Sequence, residues 1–368
     1  MTKLFSFIMI FVLFSAVAVH ADYNINLKTT PEQITARDDP FVEYPDLGAL
    51  PEITISVTDA AGAAVKDTTM TAAITHNGNL WLGSGFPFVE GTQLLSVTSY
   101  ESEGILTIPA LLFPLRGDYT LDVKVVDSAG AEQTKQFTIH AKEPFWQTEI
   151  KGIMLLVGLV IFGAVVGLIF GKDLLKKKAQ AAFSLFIFGI VLVSLFLVPF
   201  VHAHEGAADM PVGAVDYDDS QVSFYTNPEV PDIGIPTTFY IDVKDENGIP
   251  VNNAAAHITI ENDEDHFEVL DLILYSKNGS FVFNYGIFDG APHIVTVRID
   301  PTEASSTQFA EIARSYEVAA TAHNPPFLAK AKATFIMLLA LMVGLVIGVA
   351  IRKARANKQA AKEAGDLQ

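Results

Sequence analysis

Nine histidines and not one cysteine set the chemistry open to this chain of 368 residues. His202 and His204 form a His-x-His pair directly after an apolar run, and Asp289 and His293 stand four apart where a loop enters an expected strand. If the chain were cut after Ala203, His204 would become a terminus whose α-amino group and imidazole could together grip a copper ion. Imidazole suits Cu(II), and a carboxylate can complete such a set. Left uncut, His202 and His204 could bind a metal at the membrane surface, or serve simply as interfacial residues at the end of a span. No cofactor is expected unless copper fills that set.

Two acidic stretches offer oxygen ligands. Glu261-Asn262-Asp263-Glu264-Asp265-His266-x-Glu268 is dense enough to hold calcium but lacks the spaced order of a dedicated loop. It reads better as a solvated acidic hairpin, and Asp216-x-Asp218-Asp219 reads the same way. The lack of cysteine excludes disulfides, thiolate metal sites and a cysteine nucleophile. No Gly-x-Ser-x-Gly or His-Glu-x-x-His is present, so the expectation is a protein that is not an enzyme.

These groups must be positioned by elements that the apolar runs divide. Residues 1–21 have the form of a signal peptide: Lys3, a short apolar run, and Val19-His20-Ala21 as a small-x-small exit. Runs at 152–171, 182–201 and 333–351 are each long enough to cross a bilayer as a helix. Lys172, Lys176, Lys177 and Lys178 follow the first, and Arg352, Lys353, Arg355 and Lys358 follow the third. By the positive-inside rule the loop 172–181 and the tail 352–368 are cytoplasmic. Segments 22–148 and 204–332 then both lie outside the cytoplasmic membrane, in agreement with the leader. The second segment is the more acidic: 21 acidic residues against four basic ones between His204 and Ala329, which disfavours nucleic acid and favours cations or a basic protein partner.

The two segments repeat one another. Pro45-Asp46-Leu47-Gly48 and Val57-x-Asp59-x-x-Gly62-x-x-Val65 recur as Pro231-Asp232-Ile233-Gly234 and Val243-x-Asp245-x-x-Gly248-x-x-Val251, 186 residues on. Leu121, Val123 and Val125 match Val295, Val297 and Ile299 at an offset of 174, and Val19-His20-Ala21 recurs as Val201-His202-Ala203 at 182. The middle span therefore has a signal peptide's parts, and the chain reads as a fused duplication of leader, domain and anchor. Ile53, Ile55 and Val57, and Phe239, Ile241 and Val243, alternate with polar residues as half-buried strands do. Turn residues separate the strands, and no amphipathic helix interrupts them. The expected fold is all-β plus transmembrane helices: two tandem immunoglobulin-like β-sandwiches with three transmembrane α-helices.

The hairpin Val-x-Asp-x-x-Gly-x-x-Val, closest in Val243 to Val251 with its Gly248-Ile249-Pro250-Val251, resembles the YtkA-like and FixH-like envelope domains. A chain beginning at His204 resembles the amino-terminal histidine site of CopC-like copper-binding sandwiches. In that family an aspartate and a histidine close together supply further ligands, and Asp289 and His293 are the nearest counterparts here, at a wider spacing. The resemblance implies copper handling as the alternative to binding or scaffolding a partner.

In the anchors, Gly163, Gly167 and Gly171 recur every four residues, as do Gly344 and Gly348. Small residues at that spacing let helices approach closely, so the first and third spans are expected to pack together, within one chain or between chains.

Overall fold

The computed structural model describes residues 23–36, 49–77, 91–115, 117–142, 147–174, 217–218, 221–245, 247–264, 266–288, 290–302, 305, 309–320 and 327–365. The leader at 1–21, the span at 182–201, His202, His204 and Asp289 lie outside them. The described chain is mostly β-strand, with two long apolar helices.

The first half contributes β1 (Asn24–Thr30), β2 (Ile34–Thr35), β3 (Glu52–Thr58), β4 (Thr68–His76), β5 (Gln93–Glu101), β6 (Ile105–Ile108), β7 (Ala110–Leu111), β8 (Gly117–Val126) and β9 (Glu132–Lys142), then helix α1 (Gln147–Leu174). The second contributes β10 (Tyr217–Asp218), β11 (Val222–Asn227), β12 (Pro236–Val243), β13 (Ala254–Asn262), β14 (Phe267–Ser276), β15 (Ser280–Gly286), β16 (His293–Pro301) and β17 (Ile312–Val318), then helix α2 (Phe327–Gly365). Period-two alternation sets which residues face inward. Ile53, Ile55 and Val57 on β3, and Phe239, Ile241 and Val243 on β12, are buried, while Thr54, Ser56, Tyr240 and Asp242 are not.

The same local devices shape both halves. Asp59 Oδ1 accepts the backbone N–H groups of Ala61 and Ala63, each at 2.9 Å, and Asp245 Oδ1 accepts those of Asn247 and Ile249 at 2.8 and 2.9 Å. This Asx geometry turns the chain after β3 and after β12. Gly104 and Gly279 then close each hairpin with φ of +70° and +71°. Their carbonyls accept from Val57 and Val243, each at 2.9 Å. A Cβ there would stand 2.2 Å from the Val65 carbonyl oxygen or 2.7 Å from that of Val251, so only glycine fits. A register shift follows Ile74 in the β4–β5 pair and Ile260 in the β13–β14 pair. Thr29-Thr30-Pro31-Glu32 and Thr226-Asn227-Pro228-Glu229 each contain a cis X-Pro bond, and each threonine hydroxyl donates to the glutamate carbonyl oxygen.

The strands form three sheets, ordered β1-β3-β6, β10-β11-β12-β15-β5-β4-β8-β9-β2 and β17-β16-β13-β14-β7. Two of them cross between the halves. β15 pairs with β5 through Phe283 with Val97, Asn284 with Ser96 and Tyr285 with Leu95; β14 pairs with β7 through Leu270 with Leu111 and Asp271 with Ala110. Each half thus covers an edge strand of the other, which a lone half would leave open. The buried apolar side chains of both halves join in one cluster that includes Leu95, Val97, Leu270 and Phe283.

α1 and α2 have 28 and 39 residues, about 42 and 58 Å at 1.5 Å per residue, and each contains a stretch long and apolar enough to cross a membrane. They pack in parallel, Gly163 beside Gly344 and Gly167 beside Gly348. A Cβ on Gly344 or Gly348 would lie 1.9 or 2.0 Å from the carbonyl oxygen of Val160 or Ala164, so the backbones meet where side chains are missing. Arg352 then donates from α2 to the carbonyls of Leu168 and Ile169. The surroundings of Gly171 lie outside the described residues.

Candidate functional site

His293 opens β16, only 2% exposed, in register with Asn262 on β13 and Val318 on β17. Its Nδ1 lies 2.8 Å from the Ala291 carbonyl oxygen, which can only accept, so Nδ1 carries the proton. The matching position in the first half is Tyr119, which faces His76 in register. Its hydroxyl donates to the Leu115 carbonyl oxygen at 2.7 Å and accepts the Leu115 N–H at 3.2 Å. Both side chains thus tie the start of a strand to the loop before it. Among the described residues, no group of three or more histidine, aspartate or glutamate side chains is placed to hold a metal ion.

The acidic stretch forms the β13–β14 hairpin. Buried Asn262 accepts the Glu264 N–H at 3.0 Å, and Asp263 N–H donates to the Pro292 carbonyl at 2.9 Å, tying the hairpin to the loop before β16. His266 and Glu261 pair loosely, 3.9 Å apart and largely in solvent, a contact worth little.

A tighter pair, not singled out from sequence, lies beside it. His257 Nε2 on β13 is 2.6 Å from Asp271 Oδ1 on β14, with side chains 30% and 17% exposed. Glu268 stands on the same hairpin, its carboxyl raised above the usual range by burial and then by Asp271, with His257 opposing. Thr259, Thr296 and Ser315 extend this polar face across β13, β16 and β17, with Thr296 and Ser315 hydroxyls 3.0 Å apart. His257 and Asp271 are 14 residues apart, and only the hairpin register brings them together; the clue in sequence was a polar residue at every second place of two alternating strands. Chemically this face can accept hydrogen bonds and attract cationic side chains.

The second feature that sequence did not mark is the seam between the halves. Glu101 ends β5 only 4% exposed, and burial lifts its carboxyl to about 7, with a hydrogen bond from Ser99 opposing. Ser99 Oγ also accepts the Tyr275 N–H from β14 at 2.9 Å. Lys277 Nζ lies 3.8 Å from the centroid of the Tyr100 ring, whose hydroxyl donates to Asp67. Asn284 donates to Gln93 at 3.4 Å.

No family model and no curated protein matches this chain. Among solved structures it aligns with trypsin-activated alpha-2-macroglobulin from Escherichia coli at 10% identity and a TM-score of 0.24, and with the native conformation of the same protein at the same values. Each alignment covers 83% of this chain and 17% of the other. Dimeric latent PorU from Porphyromonas gingivalis aligns at 11% identity and a TM-score of 0.21, covering 84% of this chain and 21% of that one. The chain therefore spans about a fifth of the length of these neighbours, and overlaps this slight carry no functional argument.

Proposed function

We propose that this chain is a non-enzymatic, membrane-anchored envelope protein, a duplicated pair of immunoglobulin-like sandwiches that binds or scaffolds a protein partner outside the cytoplasmic membrane. The observation that carries this reading is the parallel pair of apolar helices: α1 follows β9 in the chain, α2 follows β17, and the two pack glycine against glycine. The basic residues Arg352, Lys353, Arg355 and Lys358 after the apolar part of α2 support a cytoplasmic C-terminus. Duplication is supported by the shared Asx turns, left-handed glycines, register shifts and Thr-x-Pro-Glu turns. The Tyr119 hydroxyl bonded to the backbone four residues before it supports the immunoglobulin-like assignment, since such a corner marks that fold. The polar face around His257, Asp271 and Glu268 suits a basic partner surface.

The cysteine-free sequence makes the test direct. Single cysteines at Ser315 and Ala360, probed in intact cells with a membrane-impermeant maleimide, should label at 315 alone until the membrane is opened. Labelling at 360 alone would reverse the topology. A photo-cross-linker at Thr259 should give a discrete protein adduct that Asp271→Lys weakens, and no adduct from that face would remove the partner reading. The alternative, copper handling, rests on His202, His204, Asp289 and His293, of which His293 alone lies among the described residues.

A further inference from the structure

Glu101 is a buried carboxyl that partner binding does not use. It sits at the end of β5, the strand whose edge receives the second half. The Ser99 hydroxyl donates to it and accepts the Tyr275 N–H, so an amide of one half, a hydroxyl and a carboxyl of the other form one chain across the seam. Among the described residues Glu101 Oε1 has no hydrogen-bond partner, and neither does buried Thr68 Oγ1 on the residue opposite it in β4. In the second half the same corner is neutral: Ser276 stands opposite Ala254, and its hydroxyl donates to Asn278 at 2.8 Å.

The charged and titratable groups packed around Glu101 are mostly acidic. Glu103 lies in the following turn and Tyr275 on β14. The Tyr275 hydroxyl is pushed above its ordinary range by burial, then by Glu101 and Glu103. Asp67 precedes β4 and engages Tyr100, and Lys277, over the Tyr100 ring, supplies the positive charge.

We propose that the seam between the two halves is a proton-sensitive joint, closed while Glu101 is neutral and loosened when it ionises. A neutral carboxyl can stay in that dry corner at modest cost, whereas the ionised form leaves a bare charged oxygen in the core. Parting β14 from β5 lets water reach that oxygen. Little backbone pairing opposes the movement: three residue pairs join β15 to β5, and two join β14 to β7. Burial lifts Glu101 to about 7, which brings the change close to neutral pH.

Hydrogen exchange on the intact protein in lipid nanodiscs at pH 5.5 and 8, corrected for intrinsic rates, tests this joint. Amides of 93–101 and 267–277 should open roughly 30-fold more at pH 8 than at 5.5, as follows from a carboxyl at about 7 when closed and 4.5 when hydrated. Amides within the β13–β16 pair serve as the unchanged reference. Glu101→Gln should abolish the difference, as should Glu101→Ser, which copies the neutral corner of the second half. Equal protection of the wild type at both pH values overturns the proposal, as does a folded Glu101→Gln protein that keeps the difference. If neither variant folds, the infrared carboxyl band of the wild type must titrate in step with the exchange, and a mismatch overturns it. Neither outcome depends on whether a partner binds.

Discussion

A carboxyl that enters a protein core gives up its hydration, and Glu101 does so with its Oε1 unpaired. Its value rises from 4.5 to about 7 on folding, so its stabilising effect is fully present below about 4.5 and is lost as pH rises through 7. Glu101→Gln should therefore be more stable than the wild type at pH 8 by up to roughly 3 kcal/mol, and show little advantage at pH 4. Denaturant melts of the detergent-solubilised protein at the two pH values check this, and an equal gain at both would refute it. Glu101 could not be picked out from its sequence neighbours, because Tyr-Glu-Ser-Glu reads as a polar turn. Its burial depends on the strand phase, which points every second residue of β5 inward, and on β14 arriving from the other half. His293 was legible by residue type alone, and the structure adds its place: buried at a strand corner, with Nδ1 held by the Ala291 carbonyl.

At the scale of elements, the hairpins and the helix pair both depend on missing side chains, for different reasons. Gly62 needs only its positive φ, with open space around it, while Gly279 also has the Val251 carbonyl oxygen 2.7 Å from where a Cβ would be. Gly62→Ala is expected to cost about 1 kcal/mol, and Gly279→Ala clearly more, on the order of 3 kcal/mol. Thermal melts of the two variants should keep that order. For the helices, cysteines at Ala164 and Leu345 should form a disulfide in membranes, and adding Gly344→Ile should reduce its yield at least severalfold. An unchanged yield would show that the close approach at Val160 is not needed. The helix glycines were visible in the sequence because they recur every four residues, and Gly62 and Gly279 because they stand among turn residues. The His257–Asp271 pair was not, since it belongs to two strands and a shared register.

For the whole molecule, the two halves are joined by strand pairing and one apolar cluster, so they should unfold together. Phe283, 1% exposed and stacked on Phe239 at 4.8 Å, faces Val97 of the first half. Phe283→Ala should cost about 3 to 5 kcal/mol and lower the melting of both halves in a single calorimetric transition. Two transitions, with only the second shifted, would show that the halves are independent. The sequence by itself determined the apolar runs, the alternating strands and the turn residues, because each depends on residues close along the chain. The Thr-x-Pro-Glu turn stands out only once both copies show the same cis bond and the same threonine hydrogen bond. Only the tertiary structure decided that β15 lies on β5 and β14 on β7, that Glu101 is sealed between them, and that His257 meets Asp271. Strand edges carry backbone groups that every sequence shares, so which edge finds which is settled by the packing of the whole body.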